Sequence, residues 1–595
     1  MKFRSYVLLA TLSIALPISP ITAEEQSPII VTATRTAQTV DESLASVTVI
    51  TKEQIEQQQP DDIRALLTAV AGIDFTNNGG IGKATSIQIR GTSSSHVLVL
   101  IDGIRIGSAT LGTASIQDIP VSQIERIEIV RGPRAALYGS GAIGGVIQIF
   151  TKKGSKEGLS TIEVGYGTYA TSKISAGLSK QINDTSLSLS ASRFKTDGFD
   201  AKDDTETDND GYNNDSVTFN LKHKFDNKTS LSFNFMHAKG HTDFDGAYQN
   251  NSDFVQQTTG LKLNFAAMNN WNMHLSASQN LDEGDNFLNS TYKSTFNTNR
   301  TNASWQNDIN FGDNQLLTFG VDYQNDNVSS STIYNETSRN NTAEFIQHQW
   351  TGESDDLQVA IRNDKNQAFG QHTTGSIAYG HQFNTSMRLI SSYGTAFKAP
   401  TFNNLYYPNS GNPDIKPEES ESYEIELRGK HKISKWSVSI YHTNITNLIV
   451  YPPPTYAVTN LGNTVIDGIE FRLKTKIVGW DTLLDVTALD PRDKDTDKIL
   501  QRRSLGSLKL SMDKTYNKWS SGFSYIGQQH RYNDTSNATR VSGYAIVNLR
   551  TRYAISKKLS IKAKLENIFD KDYETVTGYN NPGRSIFISV KYQSF

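Results

Sequence analysis

"TIEVGYGTY", residues 161–169, alternates apolar with polar or small side chains: Ile162, Val164 and Tyr166 share one face, Glu163 and Gly165 the other. Successive side chains of a strand point to opposite faces, so a period of two reads as a sheet with one apolar and one polar side. The pattern recurs down the chain. Leu231, Phe233 and Phe235 repeat it, as do Leu261, Leu263 and Phe265, then Trp436, Val438 and Ile440, and finally Ile586, Ile588, Val590 and Tyr592. A soluble β-sandwich would cover the apolar face with a second sheet. Here the alternation runs for roughly 440 residues with no helical segment to cover it, which at about 20 residues per strand and connection gives about 22 strands. Aromatic residues make up 10% of the chain and recur near strand ends, as the interfacial girdles of a membrane barrel require. The expected fold is therefore an all-β transmembrane barrel over residues 156–595.

The N-terminus agrees with export. Lys2 and Arg4, the apolar run "YVLLATLSIAL" and the small-residue end at Ala23 have the layout of a secretory signal over residues 1–23. The run is too short to span a bilayer, and no later stretch of about 20 apolar residues makes a helical membrane protein. The formal net charge of −3 becomes more negative once Lys2 and Arg4 leave, and no basic stripe suggests nucleic acid. Cysteine is absent, so neither disulfides nor thiolate metal sites stabilise the exported chain. No GxxxxGK[ST] loop and no GxSxG elbow occurs, so neither nucleotide chemistry nor serine catalysis is indicated, and the chain reads as a non-enzyme.

Residues 38–153 read differently. "SVTVIT", "HVLVLIDG" and "ERIEIVRG" are short runs apolar on both faces, as strands buried in a globular domain are. One helical stretch, "KEQIEQQQPDDIRALLTAV", interrupts them. A barrel about 22 strands wide needs something inside it, and this α+β domain is the candidate plug. Arg90 and Arg131 follow two of the buried runs and are expected to pair with carboxylates of the barrel wall. At the other end, Tyr592 is one residue out of the usual alternation counted from Phe595, so the last strand is expected to contain a bulge or to stop short of Phe595.

Several segments resemble the TonB-dependent outer-membrane transporters. "PIIVTATR" (28–35) resembles their TonB box, "IERIEIVRGPRAALYGSGAIGGVIQIFTK" their plug signature, and "FKAPTFNNLYYPNSGNPDIKPEES", "NLGNTVIDGIEFRLK" and "LENIFDKDYE" their barrel motifs. The resemblance implies a monomeric importer in the outer-membrane lipid of a Gram-negative bacterium. It also implies that residues 24–37 offer Ile29, Ile30, Val31, Thr32 and Ala33 to the periplasmic energy transducer TonB. Such a short β-branched segment can add as a strand to a partner's sheet edge.

The shared motifs leave the substrate open, and an acidic run narrows it. "DGFDAKDDTETDNDGYNND" (197–215) carries many carboxylates and the single Lys202. With Gly211 at the sixth position it fails as an EF-hand, because Val217 stands where a bidentate glutamate is required. Glu206, Asp208 and Asp210 nevertheless point the same way in an extended chain, and "GHTDFDGAYQNNSDF" follows one hairpin later. These two segments resemble the calcium loops of the family's cobalamin transporters. On that resemblance Asp200, Glu206, Asp208, Asp210, Asp245 and Asp253 are calcium ligands. Glu206 stands where those transporters have a glutamine, and the link from Asp200 to Glu206 is shorter here. The same resemblance implies substrate contacts at Ala84, Ser86, Ser93, Leu111, Gly112, Gly246 and Arg502, several of which differ in type from their counterparts.

The expected function is TonB-dependent import of cobalamin, with calcium ordering the extracellular loops. The alternatives are a siderophore or haem receptor of the same family, and a surface barrel or adhesin that transports nothing. Residues 397–417 contain no histidine for haem, and acidic loops disfavour an anionic siderophore.

Overall fold

The computed structural model describes residues 30–31, 35–203, 206–226, 228–451, 457–460 and 462–594. Residues 1–23, where a secretory signal is expected, Ile29, Thr32, Ala33 and Phe595 lie outside them. From Leu159 onward the chain forms a closed barrel of 22 strands, each antiparallel to its neighbour. The first strand, Leu159–Gly167, closes the ring against the last, Ser585–Ser594, with Gly165 opposite Ser589. Closure leaves no unpaired edge, which a bilayer would penalise. Among the described residues no helix is long and apolar enough to cross a membrane.

The alternation decides the two faces. Ile162, Val164, Tyr166 and Leu189 are exposed on the outside, while Ser188, Ser190, Thr218 and Asn220 are buried toward the lumen. The last strand follows the same rule through Ile586, Ile588, Val590 and Tyr592. It pairs without a register shift on both sides and ends at Ser594, so it has no bulge. One end of the barrel carries short turns, at 183–184, 269–270, 432–433 and 517–518; the other carries long connections, among them 197–211, 399–417 and 529–543. Short turns face the periplasm and long loops the outside. The strand Thr291–Phe311 is 21 residues long, about twice what a bilayer needs, so its outer half stands above the membrane.

Inside sits a mixed five-stranded sheet, in the order Val47–Ile50, Ile124–Arg131, Gly145–Thr151, Val97–Ile101, Ile104–Arg105. Its one parallel pairing joins Val97–Ile101 to Gly145–Thr151. Ile63, Leu66, Leu67, Ile89, Ile127, Ile129, Ile147 and Ile149 are essentially inaccessible and form the core. That matches the two-sided apolar runs, because both faces of this sheet are covered. The expected single helix is two: Lys52–Gln58 and Ile63–Leu67. Gln59 turns left-handed at φ 49° before Pro60, and Asp62 caps the second helix at Ala65 N–H. Proline disfavours a helical residue before it and cannot donate to the previous turn. A hairpin, Ile73–Asn77 with Thr85–Ile89, carries the plug's apex loop toward the outside.

Candidate functional site

The acidic run leaves the barrel after Thr185–Thr196 and returns on Tyr212–Lys224. The second acidic loop, 244–250, joins Ser230–Asp243 to Asn251–Met268. These strands are neighbours, with Tyr212 opposite Thr242 and Asp243 opposite Asn251, so the two loops rise side by side. Carboxylate oxygens of Glu206, Asp208 and Asp245 lie within 4.8 Å of one another. Asp210 lies buried beside them and accepts a hydrogen bond from Ala201 N–H at 2.8 Å. Burial pushes its carboxyl above the usual carboxylate range, and the Asp208 charge adds to that.

The other expected ligands stand apart. Asp200 accepts from Lys202 N–H at 3.2 Å. Asp253 meets His241 Nδ1 at 2.6 Å, and the same ring's Nε2 meets Asp243 at 2.9 Å. Glu206, Asp208 and Asp245, with Asp210 beside them, therefore make one group to which Asp200 and Asp253 do not belong. Hard oxygen donors are the kind of ligand that calcium takes, and like charges this close repel one another.

One cation is built in. Lys83, on the plug's apex loop, is 1% exposed and donates to Gly211 C=O at 2.8 Å and to Thr242 Oγ1 at 3.2 Å. Burial lowers its ammonium to about 8, against the upward pull of Asp210 and Asp243. Gly82 beside it has φ 78°, and a Cβ there would stand 2.0 Å from the Tyr212 ring. Only glycine lets the apex loop approach this closely. Sequence reasoning passed over Lys83; its position between Gly82 and Ala84 in the apex loop was the one available signal.

The expected substrate residues lie on the outward face of the plug and in the loops around it. Ala84 is exposed on the apex loop and Ser86 half-buried on the strand that follows. Leu111 is 66% exposed and lines a cleft of about 420 Å³ with Asn403, Asn404, Tyr407 and Tyr451. Gly112 lies directly behind it, against Thr401 and Lys398. Gly246 is half-buried in the second acidic loop. Arg502 takes a left-handed turn at φ 63°, and its neighbour Arg503 is the one that reaches the plug. Arg503 donates to Gly91 C=O at 3.1 Å and to Ser93 Oγ at 3.1 Å, so Ser93 is occupied by the wall.

Arg90 and Arg131 pair with the wall as expected. Arg90 donates to Glu424 at 2.6 Å and Glu470 at 3.0 Å and stacks over Tyr441, and Arg131 lies 3.6 Å from Glu470. All are buried, so breaking either pair leaves an uncompensated charge. At the N-terminus, Ile30–Val31 pairs antiparallel with Gln38–Thr39, Ile30 opposite Thr39.

Comparisons with known proteins agree on the family. Residues 39–146 match the TonB-dependent Receptor Plug Domain, and 159–568 match the TonB dependent receptor-like β-barrel. The chain is 33% identical to a "Vitamin B12 transporter BtuB" of Photobacterium profundum, covering 99% of this chain and 100% of that one. It is 32% identical to the protein of the same name in Vibrio vulnificus, with the same coverage. Among solved structures, the siderophore receptor PirA of Acinetobacter baumannii aligns at TM-score 0.80 and 19% identity over 92% of this chain and 98% of its own. A ferric enterobactin receptor (PfeA) mutant of Pseudomonas aeruginosa aligns with the same values. At that identity the two structures speak for the fold alone.

Proposed function

The chain belongs to the TonB-dependent receptors of the Gram-negative outer membrane, and we propose that it imports cobalamin or a close corrinoid, captured on loops that calcium orders. The observation that carries this reading is the convergence of Glu206, Asp208 and Asp245 from two neighbouring extracellular loops. Relatives named as vitamin B12 transporters, identical at a third of positions along nearly the whole chain, support the choice of substrate.

The proposed mechanism follows from the geometry. The plug fills the lumen, so diffusion does not carry a large ligand through, and affinity serves capture from dilute solution. Calcium held by Glu206, Asp208 and Asp245, with Asp210 beside them, would neutralise the loops and tie them together. Lys83 holds the base of the acidic loop on the plug, so an ordered loop and the apex residues Ala84 and Ser86 present one surface. A large, nearly neutral ligand suits small residues and backbone groups of this kind. Release needs work on the plug. The segment at Ile30–Val31 is paired to the plug's own Gln38–Thr39, so handing it to TonB as an added strand would exchange one pairing for another.

Calcium titration of cyanocobalamin binding to outer membranes tests the reading. Chelation and the Asp208→Ala/Asp210→Ala double variant should both weaken binding; unchanged affinity in both would remove calcium from the account. Deleting Ile29 to Ala33 should abolish uptake and leave surface binding intact. Normal uptake after that deletion would favour a barrel without active transport.

A further inference from the structure

Between the plug and the wall strands from Asn251–Met268 to Met387–Lys398 lies a cavity of about 370 Å³. Beyond it, the adjoining part of the wall holds the plug through Glu424, Glu470 and Lys509, while on the cavity side Arg300 donates to Gly107 C=O at 3.2 Å and Ala109 N–H donates to Thr298 Oγ1 at 2.9 Å. The cavity and the external cleft behind Leu111 share Ser95, Lys398 and Thr401 in their linings, so these residues form the throat between the two.

The throat has unspent positive charge. Asp326 is held by Arg300 at 2.6 Å and Arg339 at 3.5 Å, and Asp364 by Arg362 at 2.9 Å. Glu418, opposite Lys398 in the barrel register, is taken by His96 at 2.6 Å and by Ile449 N–H at 2.8 Å. With those carboxylates engaged, Arg105 and Lys398 remain at the throat, and Lys262 also lines the cavity. Arg105 has its Nε buried with no hydrogen-bond partner among the described residues. Lys398 is 7% exposed and donates to Ala399 C=O at 2.7 Å, which leaves two ammonium protons for other acceptors. The two side chains converge on Gly141: a Cβ there would lie 3.2 Å from Arg105 Nη2 and 3.8 Å from Lys398 Cδ. Lys398 Nζ also stands 3.0 Å from the Cβ position of Gly112. Glycine at both positions keeps the space in front of the cations open.

We propose that Arg105 and Lys398 form an anion-binding throat that receives a phosphate-ester group of the imported ligand as it passes from the outer cleft into the lumen. A planar guanidinium and a mobile ammonium together match a tetrahedral oxyanion. The acidic loops lie outside and the cations inside, so an anionic group bound at the throat is drawn inward past the rim. For the corrinoid reading, on which the ligand's identity rests, the group is the phosphodiester of the nucleotide loop.

Two measurements on the full-length protein decide it. In the first, inorganic phosphate is titrated calorimetrically into purified wild type and into Arg105→Gln/Lys398→Gln at low ionic strength. Phosphate should bind the wild type and Lys398→Arg, and the double variant, which loses both charge-assisted contacts, should bind at least about tenfold more weakly. No binding to the wild type, or equal binding to the double variant, overturns the throat. In the second, cells take up cyanocobalamin or cobinamide, which lacks the phosphodiester. The double variant should lower cyanocobalamin uptake about tenfold and cobinamide uptake less than about twofold. Equal loss of both would mean a merely structural role and overturns the proposal. A wild type that imports neither corrinoid would sink the substrate reading, and the phosphate titration would still decide the throat by itself.

Discussion

Lys83 of the plug donates its ammonium to the carbonyl of Gly211, 2.8 Å away at the base of the acidic loop. This bond joins the two parts of the molecule that the proposed function needs to act together. It sets a buried positive charge under Asp210 and Asp243, where bulk water does little to screen it.

Lys83→Met removes that charge and both of its hydrogen bonds. In chelator the acidic loops of the variant should be cut by protease within 197–211 faster than those of the wild type, by about tenfold if one charged hydrogen bond is lost. Saturating calcium should restore protection. Equal cleavage rates in chelator would show that Lys83 does not hold the loop.

Single substitutions separate the clustered carboxylates from the outlying ones. Glu206→Gln, Asp208→Asn and Asp245→Asn should each weaken calcium binding by about tenfold or more, because ligand charge sets affinity in such sites. Asp200→Asn and Asp253→Asn should change it by less than about threefold, since Asp200 caps Lys202 and Asp253 holds His241. Calcium titrations of the five proteins give the comparison directly.

Arg90→Met strands Glu424 and leaves Glu470 with Arg131 alone, 3.6 Å away. Breaking a buried pair from one side costs about 3–5 kcal/mol, and here that cost falls on plug docking rather than on the barrel ladder. Hydrogen exchange should accelerate in the plug sheet and stay slow in the barrel strands. Uniform slow exchange would mean that the remaining wall contacts suffice.

Gly82→Ala tests the close approach of apex loop and barrel. A Cβ would collide with the Tyr212 ring at a left-handed backbone position, a combined strain of about 2–4 kcal/mol. The apex loop should undock, and cyanocobalamin affinity should fall while the barrel melts at its usual temperature. Full affinity in the variant would show that the contact has no part in binding.

The barrel was legible because its signal is strictly local: a residue's face in a strand depends only on the parity of its position, as Ile162 and Ile588 both show. The break at Pro60 was locally encoded too, yet the apolar pattern on either side of it reads as one helix. The acidic cluster was only half legible. Alternate spacing picked out Glu206 and Asp208, but it gave no reason to leave Asp253 out, because His241 reaches it across a strand pair.

By itself, then, the amino-acid order determined the 22-strand closure, the plug's two-sided core and the pairing of Arg90 and Arg131 with the wall. Each follows from short-range periodicity or from the cost of burying a lone charge. Which carboxylates cluster, that Lys83 underlies them, that Arg503 rather than Arg502 touches the plug, and that Arg105 and Lys398 meet over Gly141 were decided only by the tertiary structure. These are contacts between residues tens to hundreds of positions apart, fixed by which barrel loops are neighbours and how the plug is turned inside the barrel, and no local pattern encodes either.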